Sequence, residues 1–328
     1  VTIKIIFDPA QVPLDFSNHV FAQSSYLKAS SEDYGWFVGA GYVLPFYIDK
    51  ILFFKRLIFT MAPLEYNSTA ERSSVHQFLD AVIDLCKNNN LCDFISKPQS
   101  NAVFPIAPSQ SVHCEWGSYV TNIDCSDEDL LKSFHSKHRN VIIKAIKDGI
   151  TVSQTADYAL VQACIKETVS RQNVPYFPSL EFVQTLCRTM ESNVLMMAAH
   201  YNGELQGVAL VLHDMDTGYY LYGGSTPKPH GGSLNLLQYE VMRHLKGKGL
   251  KRYDFVGARL FVKAGSKYEG IQRFKSRFGA ELQQGYSFRV VFSPFKYHLF
   301  NLMAKTYCLL KGWQFEDSID QLRNKTSE

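Results

Sequence analysis

Between Arg252 and Gly279 the chain sets a short apolar strand, a polar connection and a helix in fixed order, which narrows the folds open to it. Arg252 to Val256 reads as a buried strand that stops at Gly257. Beyond the connection, Ile271, Phe274 and Phe278 recur at helical spacing, which predicts a helix that fixes Phe274 and Phe278 in a core. Lys275 then points off the apolar face, close to the strand end. A lysine there is commonly a solvated charge. One fixed between buried aromatics beside a strand terminus can instead aim a cation at a reacting group.

A length of 328 residues exceeds one ordinary core and fits two domains. With 46% hydrophobic and 20% charged residues and a net charge of +3, the chain is globular and not a polyelectrolyte binder, so any nucleic-acid contact must come from local patches. Seven scattered cysteines, without a C-x-x-C, favour reduced thiols in a cytoplasmic protein over a disulfide or zinc framework. No basic n-region with an apolar core is read after Val1, so no signal peptide is expected. Ile51 to Pro63, the longest apolar stretch, is interrupted by Lys55 and Arg56 and is too short to span a bilayer. A buried strand pair is the expectation there, with peripheral proximity to a membrane as the alternative.

Gly35 to Pro45 and Ile51 to Ala62 read as two apolar strand runs, with the turn between them near Ile48-Asp49-Lys50. Phe21 to Lys28 suits a short helix or turn carrying Lys28. Ser73 to Lys87 is an amphipathic helix capped by Ser73 or Ser74, and Leu91 to Ser96 and Glu115 to Ile123 are strands. Ser126 opens a helix, Lys132 to Lys147 is a basic helical region closed by Asp148-Gly149, and the domain boundary is placed there.

The second half repeats the order. Tyr158 to Gln172 is a helix broken by Pro175 and Pro178, and Ser179 starts another. Strands follow from Val194, Leu205 and Tyr219, with a hairpin turn at Asn202-Gly203. Gly223 to Ser233 is a loop entering the helix Leu234 to Lys246. After Tyr286 to Phe292 comes a helix from Pro294 to Leu310, and the last dozen residues are expected to fray. The order describes an α+β fold occurring twice.

Four segments carry a family resemblance: Arg139-Asn-Val-Ile-Ile-Lys144-Ala-Ile-Lys147-Asp-Gly149-Ile150, Leu221-Tyr222-Gly223-Gly224-Ser225, Tyr253-Asp254-Phe255-Val256-Gly257 and Phe274-Lys275-Ser-Arg-Phe278-Gly279. In this order and spacing they resemble the FemABX family of peptidoglycan-bridge aminoacyltransferases, in its compact form without a helical-hairpin insertion. The resemblance implies two tandem GNAT-like (acyl-CoA N-acyltransferase) domains, each a mostly antiparallel mixed sheet flanked by helices. They are expected at 1–149 and 150–293, with the C-terminal helix of 294–328 returning to the first. It further implies a cytoplasmic transferase moving an aminoacyl group from aminoacyl-tRNA to an amine of a cell-wall precursor peptide or related acceptor. No permanently bound cofactor and no metal are expected; aminoacyl-tRNA or acyl-CoA is the donor co-substrate.

By the same resemblance Lys275 sits beside the carbonyl under attack with Phe274 as neighbour, and Lys28 contacts the precursor's diphosphate. The arginine expected just before a proline between two second-domain helices is missing: Phe177 precedes Pro178, and Arg171 is the nearest arginine. That departure counts against a diphosphate-bearing acceptor.

Acyl transfer to an amine needs a neutral nucleophile, a polarised carbonyl and a stabilised leaving oxygen, and a cation at Lys275 can supply the last two. Asp254 is read either as catalytic or as a turn acceptor, and Tyr222 as a groove wall. Lys228, Gly231, Gly232 and Ser233 occupy the place where GNAT enzymes cradle a diphosphate at a helix N-terminus; a plain flexible turn is the alternative. Arg139, Lys144 and Lys147, with Lys137 and His138, form one basic patch that could track RNA phosphates. Arg243, Lys246, Lys248, Lys251 and Arg252 form another. Solvated helix faces are the bland reading of both. An acyl-CoA-dependent N-acyltransferase of polysaccharides or small molecules, and a non-catalytic polymer-assembly protein keeping the fold, are the rival functions.

Overall fold

The computed structural model describes residues 2–67, 72–171, 177–313 and 315–323. In chain order the elements are β1 (Lys4–Ile6), α1 (Ser24–Ser30), β2 (Tyr34–Gly39), β3 (Tyr42–Ile51), β4 (Phe54–Phe59), β5 (Leu64–Glu65), α2 (Arg72–Asn88), β6 (Phe94–Ile95) and β7 (Val112–Asn122). Next come α3 (Asp127–Ser133), α4 (Ser136–Lys147), β8 (Thr151–Gln154), α5 (Tyr158–Arg171), α6 (Leu180–Thr189), β9 (Val194–Tyr201), β10 (Glu204–His213) and β11 (Thr217–Ser225). The chain closes with α7 (Ser233–Gly247), β12 (Arg252–Asp254), α8 (Lys267–Ser276), β13 (Glu281–Val291), α9 (Pro294–Leu310) and α10 (Ser318–Arg323).

Two compact units result. The first takes Val1–Ser118, Gly257–Ala264 and Gln283–Glu328; the second takes Tyr119–Val256 and Gly265–Leu282. In the first, β1 to β4 run antiparallel in sequence order, β4 pairs in parallel with β6, and β13 runs antiparallel to β6. Helix α2 makes the crossover and buries Phe78, Leu79, Val82 and Ile83 against Phe37, Phe46, Phe59 and Phe288 of the sheet. In the second unit β8 to β11 are antiparallel, β11 pairs in parallel with β12, and β12 runs antiparallel to the end of β7. Helix α7 makes this crossover and packs one sheet face, while α5 and α6 cover the other.

The same element order therefore occurs twice, as the α+β reading expects. The strand completing each sheet comes from elsewhere in the chain. β7 follows β6 in sequence but pairs with β12, and β13 follows β12 but pairs with β6. Gly149, where the domain boundary is expected, lies inside the second unit, and α9 and α10 belong to the first.

Local expectations are corrected in five places. The Gly35–Pro45 run is two strands, because Ala40 (φ 50°) and Gly41 (φ 83°) turn the chain. β3 continues through Ile48-Asp49-Lys50 to Ile51, so the next turn falls at Leu52-Phe53. The basic region is two helices, interrupted at buried Phe134 and at His135, whose Nδ1 accepts the Lys137 N–H (3.2 Å). Gly223 to Ser225 is strand rather than loop: a Cβ on Gly223 would meet the Tyr220 hydroxyl, and one on Gly224 would meet the Cys164 backbone of α5 at 2.7 Å. Of the last dozen residues, Ser318–Arg323 form α10, held by buried Ile319 and Leu322 and by Arg289, which pairs with Asp317 and Asp320 at 2.5 and 2.7 Å. The cap side chains expected at Ser73 or Ser74 and the break expected at Pro175 lie outside the described residues.

Candidate active site

In the second unit β11 and β12 run side by side only from Thr217–Arg252 to Tyr219–Asp254. β11 then continues to Ser225, while Phe255 turns away and donates its N–H to the Tyr119 carbonyl (2.9 Å). The parallel pair of the first unit behaves differently. It stays joined past its strands, with Ser96 bonded to Leu57 and Gln99 to Phe59, each at 3.0 Å. Only the second unit's parallel pair parts in this way.

The parting strands are marked by irregular backbone. β11 carries one extra residue, Leu221, between its pairings of Tyr220 with Val211 and Tyr222 with Leu210. Such bulges redirect side chains and concentrate beside active sites. Beyond β12, Val256 has φ 37°, a strained value for a β-branched residue, and Gly257 follows at φ 68°. Asp254 is 7% exposed, and its Oδ1 accepts the Val256 N–H at 2.7 Å, holding the turn.

Helix α8 brings Lys275 to this turn. Ser266 caps its start by accepting the Glu269 N–H (3.2 Å), and the Glu269 carboxylate accepts the Gly265 N–H (2.6 Å), an exchange of the capping-box kind. The other end is tied to α4. The Arg277 carbonyl accepts from the His135 N–H (2.9 Å), and the Phe274 carbonyl lies 3.0 Å from His138 Nε2, which donates to it. Phe278 is fully buried, with its ring 4.7–5.3 Å from those of His138, Phe134, Phe255 and Phe274. Ile271, at the same helical spacing, is 38% exposed; only the last turn of α8 packs inward.

With its neighbours so fixed, Lys275 extends its Nζ to the Val256 carbonyl at 2.5 Å. The residue is half-buried and its ammonium lies at the buried end, where loss of water lowers its pKa to about 8, against the opposing pull of Asp254. The nearby phenols are displaced the other way. Burial pushes Tyr220 up to about 12 and raises Tyr219 and Tyr253, so all three stay neutral around pH 7. Tyr253 Oη donates to buried Gln238 of α7 (2.7 Å). The site thus offers one cation that titrates near physiological pH amid neutral hydroxyls, a setting that stabilises negative charge developing on an acyl or leaving oxygen.

The structure brings Lys275, Phe274 and Asp254 together. Tyr222 packs instead with Cys164 and Ile165 in the cluster under α5, and Tyr220 takes the position beside Phe255 (6.3 Å between rings). The Lys228–Ser233 loop largely satisfies itself. Ser233 N and Oγ both donate to the His230 carbonyl (3.1 and 2.8 Å), and His230 N donates to Gln206 Oε1 (2.7 Å). Gly232 (φ 90°) packs so closely on α4 that a Cβ would meet the Val141 carbonyl at 2.8 Å; Gly231 and Lys228 are exposed.

Of the basic patches, Arg139 donates to the carbonyls of Lys132 (3.1 Å) and Phe134 (3.4 Å), while Lys144 and Lys147 are exposed on α4. Arg243 and Lys246 pair with Asp127, and Arg252 with Asp216. Lys28 is exposed in the last turn of α1, in the first unit. Arg171 does not replace the missing arginine, because its guanidinium bonds the carbonyls of Ser225 and Thr226.

Sequence reading gave His138 only a place in a basic patch and missed Gln238 and Lys97. In the first unit Lys97 is also half-buried, with its pKa lowered to about 8 by loss of water, but its Nζ lies 4.0 Å from the Trp116 ring centroid. All seven cysteines are free thiols. Among the described residues no cluster could hold a metal ion, and no helix is long and apolar enough to cross a membrane.

Residues 136–276 match the acetyltransferase (GNAT) domain family. No curated protein matches the chain in sequence. Among solved structures, FemX superposes with a TM-score of 0.64 at 13% identity, covering 91% of this chain and 99% of FemX. L-PGS from Bacillus licheniformis gives 0.52 at 11% identity, with 85% and 92% covered. A tandem GNAT protein from the clavulanic acid biosynthesis pathway gives 0.50 at 10% identity, with 89% and 99% covered. The chain has a FemABX-like GNAT fold, with the family match confined to residues 136–276.

Proposed function

We propose that the second unit forms an amide by transferring an aminoacyl group from an ester donor to an amine, with Lys275 as the cation that stabilises charge on the reacting oxygens. The observation that carries this reading is the Lys275 ammonium, held on the Val256 carbonyl where β11 and β12 part. A lysine has three N–H donors in a compact head, so it can hold a backbone carbonyl and still turn toward a developing oxyanion. The neutral carbonyl positions the cation and leaves its charge intact.

An aminoacyl ester is favoured over a coenzyme A thioester by the loop ahead of α7. Its Ser233 and His230 N–H groups are engaged within the unit, and Gly232 is covered by α4, which leaves a poor cradle for a diphosphate. FemX is the similar structure whose family suggests aminoacyl-tRNA as that ester, with exposed Lys144 and Lys147 as its first phosphate contacts. The acceptor class to test first is the amine of a cell-wall precursor peptide, with Lys28 as a phosphate contact. Because Arg171 is occupied at the end of β11, an amino acceptor without a diphosphate stands beside it.

The test offers charged tRNA and acyl-CoA in parallel, with amino acceptors, to the wild-type and Lys275→Ala proteins. Transfer from the ester by wild type, and its loss in the variant, supports the reading. Transfer from acyl-CoA alone overturns the donor, and transfer at an equal rate by both proteins overturns the role of Lys275.

A further inference from the structure

The solvent side of α9 and the tip of the β3–β4 hairpin share one composition, and acyl transfer does not account for it. Phe295, Leu302, Leu309 and Leu310 of α9 are between 61% and 80% exposed, whereas Tyr297 and Cys308 face inward. At the hairpin tip Leu52 is 74% exposed and Phe53 57%. Helix and hairpin lie in the same unit and touch through Phe54 and Phe300, whose ring centroids are 5.5 Å apart. Leu52 also has φ 56°, a conformation that suits glycine or asparagine. A leucine held there in water is unfavourable both in backbone and in hydration, and strain of that kind marks functional positions.

The charges that α9 itself carries have one sign. From Ser293 to Trp313 the chain carries Lys296, Lys305 and Lys311 and no aspartate or glutamate. At 3.6 residues per turn, Phe295, Leu299, Leu302, Thr306 and Leu309 fall within about 40° of one line. Lys305 stands roughly 80° to one side, exposed as Lys311 is, while Lys296 on the other side pairs with Asp93 (2.8 Å). Lysines so placed can lay their stems along an apolar surface and lift their ammonium groups to the level of lipid headgroups. Near the end of α9, Tyr307 and Trp313 pair at 6.5 Å, residue types that favour the membrane–water interface.

We propose that the outer face of α9, with the Leu52-Phe53 tip, docks on the surface of an anionic lipid bilayer, α9 lying in the interfacial plane. Charge selects this occupant. A second copy of the chain would bring like-charged helices together with no acid on either to pair. A protein partner would have to bury lysines that interface cores exclude. Anionic headgroups accommodate both the lysines and the apolar stripe.

The full-length chain is sedimented with vesicles of phosphatidylcholine alone and with vesicles containing about a quarter phosphatidylglycerol, at low and high salt. Binding to the anionic vesicles that weakens with salt is expected, falling about fivefold for each of Lys305→Gln and Lys311→Gln. Leu302→Glu with Leu309→Glu should abolish binding with the circular dichroism spectrum unchanged. Leu52→Gly should weaken it while leaving the fold at least as stable. Failure to bind anionic vesicles at low salt overturns the proposal, as does wild-type binding by the double leucine variant. A concentration-dependent dimer that the leucine variant dissolves, without vesicle binding, also overturns it and assigns the face to a second copy.

Discussion

Lys275 donates from its Nζ to the carbonyl oxygen of Val256 at 2.5 Å, and Val256 holds that carbonyl in place at φ 37°. A strained residue presents the acceptor, and a desolvated ammonium takes it. Backbone strain at Val256 and desolvation of the ammonium each cost stability, and each is what a preorganised charge requires.

Replacing Lys275 with alanine should lower kcat/KM with the true donor by roughly 10²–10³, the scale of losing one oxyanion donor. Lys275→Met should leave KM for the acceptor near wild type and raise the thermal midpoint, because it removes a buried charge. Melting curves beside steady-state kinetics check both.

The pH profile separates a cation from a base. With a pKa of about 8, Lys275 loses its charge as pH rises through that value, so a rate that needs the ammonium falls on the alkaline side. Lys275→Arg should move that limb out of the accessible range. A rate that climbs through pH 8 would instead make Lys275 a proton acceptor. Linkage adds a signature in stability. The unfolded lysine titrates near 10.5 and the folded one near 8, so between those values the unfolded chain binds more protons and stability rises with pH. Denaturant midpoints across that window measure it.

His138 ties α4 to the carbonyl of Phe274, and burial lowers its pKa below the usual 6.5. The contribution of the neutral ring is present above 6.5 and is lost as pH falls through the depressed folded value. His138→Ala should cost about 2–3 kcal/mol, combining a lost ring contact with an orphaned helix carbonyl. The acid limb of the unfolding curve should flatten in the variant, as urea titrations at a series of pH values would show.

Gly232 and Gly231 are adjacent but make opposite demands. Gly232→Ala combines φ 90° with a Cβ placed 2.8 Å from the Val141 carbonyl, and should cost at least ~1 kcal/mol. Gly231→Ala meets nothing within 4 Å and should be near neutral. Equal thermal shifts for the two would mean that the loop is not packed on α4 as described.

Apolar spacing made Phe274 and Phe278, and so the place of Lys275, readable in the sequence. The same spacing takes in Ile271, which is 38% exposed, since periodicity does not say how many turns of a helix face the core. His138 was hidden within a run of basic residues, yet it shares the i, i+4, i+7 spacing of buried Ile142 and Ala145, and that was the available signal. That Tyr222 packs under α5 while Tyr220 lies beside Phe255 was not legible, because the extra residue at Leu221 breaks strand alternation and no local pattern announces a bulge. The pairing of β7 with β12 and of β13 with β6 is set by partners more than a hundred residues distant, beyond the reach of any window along the chain.

That crossed pairing governs how the molecule can be made. The first sheet is not finished until the ribosome has released β13, because residues as far apart as Phe94 and Val291 must meet before it closes, and the second waits for β12 to reach β7. Folding must therefore be slow and late, governed by distant contacts. A gene cut at Gly149 would yield two polypeptides, each lacking an inner strand and exposing a raw sheet edge to aggregation. The two halves of the chain cannot be inherited, expressed or repaired as separate modules.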